Sequence, residues 1–108
     1  LIRSALAAVQ QANETDDYDV LYRLGSANFQ ATNPPAKLAQ TFAPTRAYNL
    51  NAVLVTEPKF TALPHIVGKN QLSMEGFFPI DGHEIRFMLI YEPEGQRWRM
   101  LGIGVDVQ

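Results

Sequence analysis

Ile2, Ala5, Leu6, Val9 and Ala12 recur three and four positions apart, with Arg3, Gln10 and Gln11 between them, which predicts an amphipathic helix over residues 1–13. Thr15, Asp16 and Asp17 then offer cap oxygens and negative charge ahead of a second periodic run. That run holds Val20, Leu21, Leu24, Ala27 and Ala31, so a second helix is expected from about Asp17 to Gln30. Asn33 before Pro34 and Pro35 reads as a cap followed by proline in the first turn, opening a short third helix from Ala36 to Phe42. Pro44 closes it, because a proline steers the residue before it away from helical dihedrals. From there the apolar period falls from about 3.6 to about 2, so helices come first and strands follow.

Leu50–Thr56 and Phe60–Val67 read as short strands around a turn at Glu57-Pro58, with Pro64 placed on an edge because it cannot donate to a ladder. The sharpest local signal is Asp81-Gly82, a dipeptide suited to a two-residue hairpin between Leu72–Ile80 and His83–Glu92. Such a turn pairs Phe78 with Ile85, Gly76 with Phe87, Met74 with Leu89 and Leu72 with Tyr91, making one wholly apolar face. The opposite face carries Ser73, Glu75, Phe77, Arg86, Met88 and Ile90. A four-residue loop at Pro93–Gln96 would pair Tyr91 with Trp98 and Leu89 with Met100, sending Gly102 and Gly104 to the core face and Leu101, Ile103 and Val105 to the other. A three-residue loop would instead bury Arg97 and Arg99, at a high desolvation cost. The expected fold is therefore α+β, helices packed on a curved antiparallel sheet.

The length of 108 residues fits one domain spanning 1–108, and 46% apolar with 19% charged residues is an ordinary globular balance. The formal charge of −2 arises from interspersed residues without a Lys/Arg cluster, so nucleic acid is not an expected partner. No apolar run approaches the ~20 residues that span a bilayer. Cysteine is absent, which excludes disulfides, thiolate nucleophiles and cysteine-bound metals. The chain opens at Leu1 rather than methionine, which fits either a cut made for expression or a cleaved export signal.

Chemistry-bearing residues are sparse. His65 and His83 have no acidic or histidine neighbours at metal-ligand spacing, and His83 follows the hairpin turn as an ordinary exposed residue. Glu75, Glu84 and Glu92 fall on the face opposite the core, and Asp106 has the core parity but lies near the end of the chain. Ser4, Ser26 and Ser73 sit in no nucleophile-elbow pattern, and Gly102-Ile103-Gly104 precedes no helix that could hold a phosphate. Arg46 and Lys59 read as solvated loop charges rather than as an anion site. Tyr22, Tyr91 and Trp98 each join an apolar body to a polar tip and suit a pocket wall or ordinary core packing.

N-terminal helices followed by a meander whose last strand carries Gly95, Trp98, Met100 and Ile103 as Gly-x-x-Trp-x-Met-x-x-Ile resemble the nuclear transport factor 2-like superfamily. The resemblance implies a cone, with helices closing over a bent sheet around an apolar pocket. Its members include isomerases, dehydratases, cyclases, binding modules and many exported proteins, so it implies little about chemistry. Enzymes of that kind place an Asp, Glu or His inside the cone, and the core face here is nearly empty of such groups. The expectation is a non-catalytic module without metal or cofactor that binds a small apolar ligand in a pocket lined by Tyr22, Phe87, Leu89, Tyr91, Trp98 and His65. The rival is a lyase or isomerase of the same fold using general acid and base residues. A third expectation is a homodimer through an outer face of Phe77, Met88, Leu101, Ile103 and Val105, and export is favoured over a cytoplasmic location.

Overall fold

The computed structural model describes residues 2–68, 70–80 and 82–108. Helix α1 (Ile2–Thr15) buries Ala5, Leu6, Val9 and Ala12 on one face, as the spacing predicts. The same face buries Gln10, whose Oε1 accepts the Leu50 N–H at 2.8 Å while its Nε2 donates to Glu14 at 2.8 Å, so the buried amide is satisfied.

The expected second helix is two helices. Helix α2 (Asp19–Leu24) ends at Gly25, and α3 (Ala27–Thr32) starts afresh behind Ser26, whose Oγ accepts the Phe29 N–H at 3.3 Å as a helix cap. The break redirects the buried face: Tyr18, Leu21 and Phe29 enter the core, whereas Val20 and Leu24 stay exposed. Helix α4 (Pro35–Phe42) buries Leu38 and Phe42, and its cap position is Pro34 rather than Asn33. The helix ends at Phe42, as expected, but helical turns continue past Pro44. Two 3₁₀ helices, Ala43–Ala47 and Leu50–Leu54, follow, and the second occupies the stretch read as a strand. It buries Leu50 and Val53, three residues apart, which is one face of a 3₁₀ turn and departs from strict alternation.

Four strands complete the chain: β1 (Lys59–Val67), β2 (Gln71–Ile80), β3 (His83–Glu94) and β4 (Arg97–Val107). They form one antiparallel open sheet in the order β1-β2-β3-β4, with the helices packed on one face. Ile80 pairs with His83 around a two-residue turn in which Gly82 has a φ of 80°; Asp81 lies outside the described residues. All four expected core pairs, Phe78–Ile85, Gly76–Phe87, Met74–Leu89 and Leu72–Tyr91, are present. Pro64 is indeed on an edge strand, and β1 slips register against β2 at two places between Phe60 and His65.

The last hairpin corrects the expected register. Its loop is Gly95-Gln96, with Glu94 paired to Arg97, Pro93 to Trp98 and Tyr91 to Met100. A two-residue loop has the same parity as a four-residue one, so Arg97 and Arg99 stay off the face of Tyr91. Leu101 is then an extra residue, because Ile90 pairs with Gly102 and Leu89 with Ile103. The bulge flips the rest of β4: Ile103, Val105 and Val107 pack on the core, and Gly102, Gly104 and Asp106 face outward. Ile103 and Val105 therefore do not belong to the outer face. Among the described residues, no helix is long and apolar enough to cross a membrane.

Candidate functional site

The α2–α3 elbow is fastened to the β3–β4 hairpin by a dense set of polar contacts. The Ser26 N–H donates to the Met100 carbonyl at 2.8 Å, and Gly25 forms a parallel bridge with Met100. The Ser26 hydroxyl donates to Glu92 at 2.5 Å, and Asn28 adds two 3.3 Å contacts to the same carboxylate. Glu94 accepts the Ala27 N–H at 2.8 Å, placing negative charge at the start of α3. Arg99 returns the link by donating to the carbonyls of Arg23 at 2.7 Å and Gly25 at 3.2 Å. Glu92, expected from the sequence only as a carboxylate on the face opposite the core, is thus committed to holding the elbow.

Fastening the elbow here sets Leu24 opposite the hairpin and leaves a cleft of about 200 Å³ beside the first turns of α1. Its apolar wall is Leu24, Tyr91, Trp98 and Met100; Ser4 and Ala5 close it from α1, and Arg97 and Arg99 stand along the hairpin side. Tyr91 and Met100 are buried, whereas Leu24 and Trp98 are exposed, so the indole and the leucine form the mouth. Burial pushes the Tyr91 hydroxyl from 10 up to about 12, so it is a neutral hydrogen-bonding group at physiological pH and not a phenolate base. Among the described residues, no Asp, Glu or His lines this cleft. The lining can therefore hold a ring against apolar walls and offer it polar tips, but supplies no carboxylate or imidazole for proton transfer.

The expected pocket residues are dispersed. Tyr91 and Trp98 come together in the cleft, although Trp98 pairs with Pro93 rather than with Tyr91. Phe87 and Leu89 are in the closed core, where Phe87 packs 5.5 Å from Phe78 and meets Phe60 edge-on at 6.2 Å. Tyr22 packs at the margin of the core and does not line the cleft. His65 is exposed on β1, its Nδ1 2.8 Å from the Leu63 carbonyl, across the sheet from the cleft. Sequence reasoning missed Leu24, Arg97, Arg99 and Met100 as site residues. The readable signal was Gly25-Ser26, a breaker followed by a cap residue within an otherwise helical pattern.

Two further open hollows lie against the sheet. One of about 380 Å³ lies between Ile2 and Arg3 of α1 and Pro58, Phe60, Met74 and Phe78. The other, about 360 Å³, lies beside the outer-face residues Glu75, Arg86, Met88, Gly104 and Asp106 and is also bordered by Phe87 and Val105. On that face Phe77 is covered by the Arg86 guanidinium, 5.3 Å from its ring centre, and Arg86 is held 2.8 Å from Glu84. Without Ile103 and Val105 the outer face is more polar than the sequence register implied. Among the described residues, no three His, Asp or Glu side chains gather where they could hold a metal ion. Comparison with family models, curated proteins and solved structures finds no match to this chain.

Proposed function

We propose that this is a binding or accessory module that takes a small apolar, ring-sized ligand in the cleft between α2 and the β3–β4 hairpin. The observation that carries this reading is the convergence of Leu24, Tyr91, Trp98 and Met100 on one hollow with no carboxylate or imidazole from the described residues among its walls. At about 200 Å³ the hollow is smaller than the ~300–1,000 Å³ of drug-sized sites, so its ligand is about the size of one substituted ring. Trp98 and Tyr91 suit such a guest because aromatic faces give large contact area while their polar tips orient it. The order of helices before a four-stranded antiparallel meander supports a nuclear transport factor 2-like relationship, in which binding modules sit beside enzymes.

Trp98 is the only tryptophan in the chain, so its fluorescence reports on this cleft without labelling. Titration with cyclohexanol and with benzyl alcohol is expected to shift or quench its emission saturably. Leu24→Glu, a change at an exposed position, should weaken that response at least tenfold while leaving the circular dichroism spectrum unchanged. A response that never saturates, or one that Leu24→Glu leaves intact, overturns the assignment.

A further inference from the structure

Strand β1 is an edge strand that the helical layer does not cover: eight of its nine residues are exposed and only Val67 is half-buried. The apolar content of the segment is at odds with that exposure. Of the ten large apolar or aromatic side chains exposed among the described residues, five lie within positions 54–66. They are Leu54 (52% exposed), Val55 (90%), Phe60 (40%), Leu63 (81%) and Ile66 (56%). Edge strands are ordinarily guarded by charge, yet Glu57 and Lys59, of opposite sign, are the only acidic or basic residues among positions 54–67 apart from His65. The open hollow of about 380 Å³ borders the same edge, with Phe60 and Pro58 as one wall.

We infer that this strip is the contact surface of a twofold dimer, in which a second copy of the chain covers β1 and lends an apolar side chain to the hollow at Phe60. Three features select a second copy as the occupant. The five side chains together leave on the order of 500 Å² open per copy, so two copies that cover them fully bury about 1,000 Å², the threshold for a specific interface, and burial at the hollow adds to that. The strip holds both projecting side chains, Val55 and Leu63, and a recess, so an isologous contact can seat each copy's projection in the other's recess. Its charges balance, so superposing the strip on its own copy brings no block of like charge together.

Pro64 and the two register slips interrupt the free edge of β1. They oppose a continuous ladder between copies, so the contact is one of packed side chains and closes at two. This surface is separate from the ligand cleft, and its failure would leave that assignment untouched.

Sedimentation velocity and light scattering at micromolar concentration test the inference. The wild-type chain is expected at twice its monomer mass, and Leu63→Glu and Val55→Glu are expected to halve it with the circular dichroism spectrum kept, since both positions are largely exposed. Leu63→Ser serves as a milder second variant and should weaken association at least tenfold. Met88→Glu, on the outer sheet face, should leave the dimer intact. A monomeric wild type overturns the inference. A dimer that Met88→Glu dissolves and Leu63→Glu spares also overturns it, by moving the contact to the outer face.

Discussion

Tyr91 stands where core and cleft meet, and its burial has a titration consequence. Raising its pKa from 10 to about 12 means that, between those values, the unfolded chain releases a proton that the folded chain keeps. The stabilisation from keeping the hydroxyl neutral is complete below pH 10 and is lost as the pH climbs through about 12. Urea denaturation across that range is expected to show stability falling with pH, with a shallower fall in Tyr91→Phe. Equal slopes for the two proteins would contradict a buried hydroxyl. Ser26 serves the fold in a different way. It caps α3 through Phe29 and donates to Glu92 from a fully buried position. Ser26→Ala therefore removes both a cap and the partner of a carboxylate, and should lower stability by about 1–2 kcal/mol in thermal denaturation. A change below a few tenths would mean that the elbow is held by backbone contacts alone. Neither role was legible from residue type, since serine at position 26 resembles any polar helical residue until Gly25 is read as a stop.

At the scale of elements, what the sequence disclosed depended on whether a local signal fixed the phase of the pattern. The β2–β3 hairpin has such a signal in its turn, and its core pairing follows residue by residue. Strand β4 shows its bulge only as a change of phase, apolar at Trp98 and Met100 and then at Leu101, Ile103, Val105 and Val107. The adjacent pair Met100-Leu101 is the mark of that change, and a single alternating template runs straight across it. The stretch Leu50–Leu54 misled for a different reason: five residues with few polar breaks fit a buried strand and a 3₁₀ turn equally well, and packing against α1 decides between them. Gly76 tests how tightly β1 is held. A methyl group there would sit 2.2 Å from the Lys59 carbonyl oxygen and 3.0 Å from Phe87, and the first of these is backbone. Gly76→Ala should cost on the order of 2–3 kcal/mol, read from denaturant unfolding, and should loosen β1 before the rest of the sheet. An unchanged midpoint would show that the two strands separate there at no cost.

Across the whole molecule, stability is graded from one edge of the sheet to the other. Strands β2 and β3 are paired on both sides and carry Met74, Phe78, Ile85, Phe87, Leu89 and Tyr91 into the core, where each large apolar side chain contributes about 1.5–3 kcal/mol by burial. Edge strand β4 is anchored by Met100 and by the elbow at Ser26. Edge strand β1 has neither support, because it is paired on one side only and nearly all of its surface is exposed. Local opening costs least where few apolar contacts and many solvated hydrogen bonds coincide, so amides of Phe60–Ile66 should exchange with deuterium far faster than those of Ile85–Leu89 in dilute protein. The gradient also separates a lone protomer from a dimer. If a second copy covers β1, mass action makes protection there depend on concentration, whereas the centre of β3 is already shielded within one chain. Hydrogen exchange at two protein concentrations should therefore slow Phe60–Ile66 in the more concentrated sample and leave Ile85–Leu89 unchanged. Protection at β1 that matches β3 in dilute protein would instead mean that the sheet opens as one cooperative unit, with an edge already stabilised within the single chain.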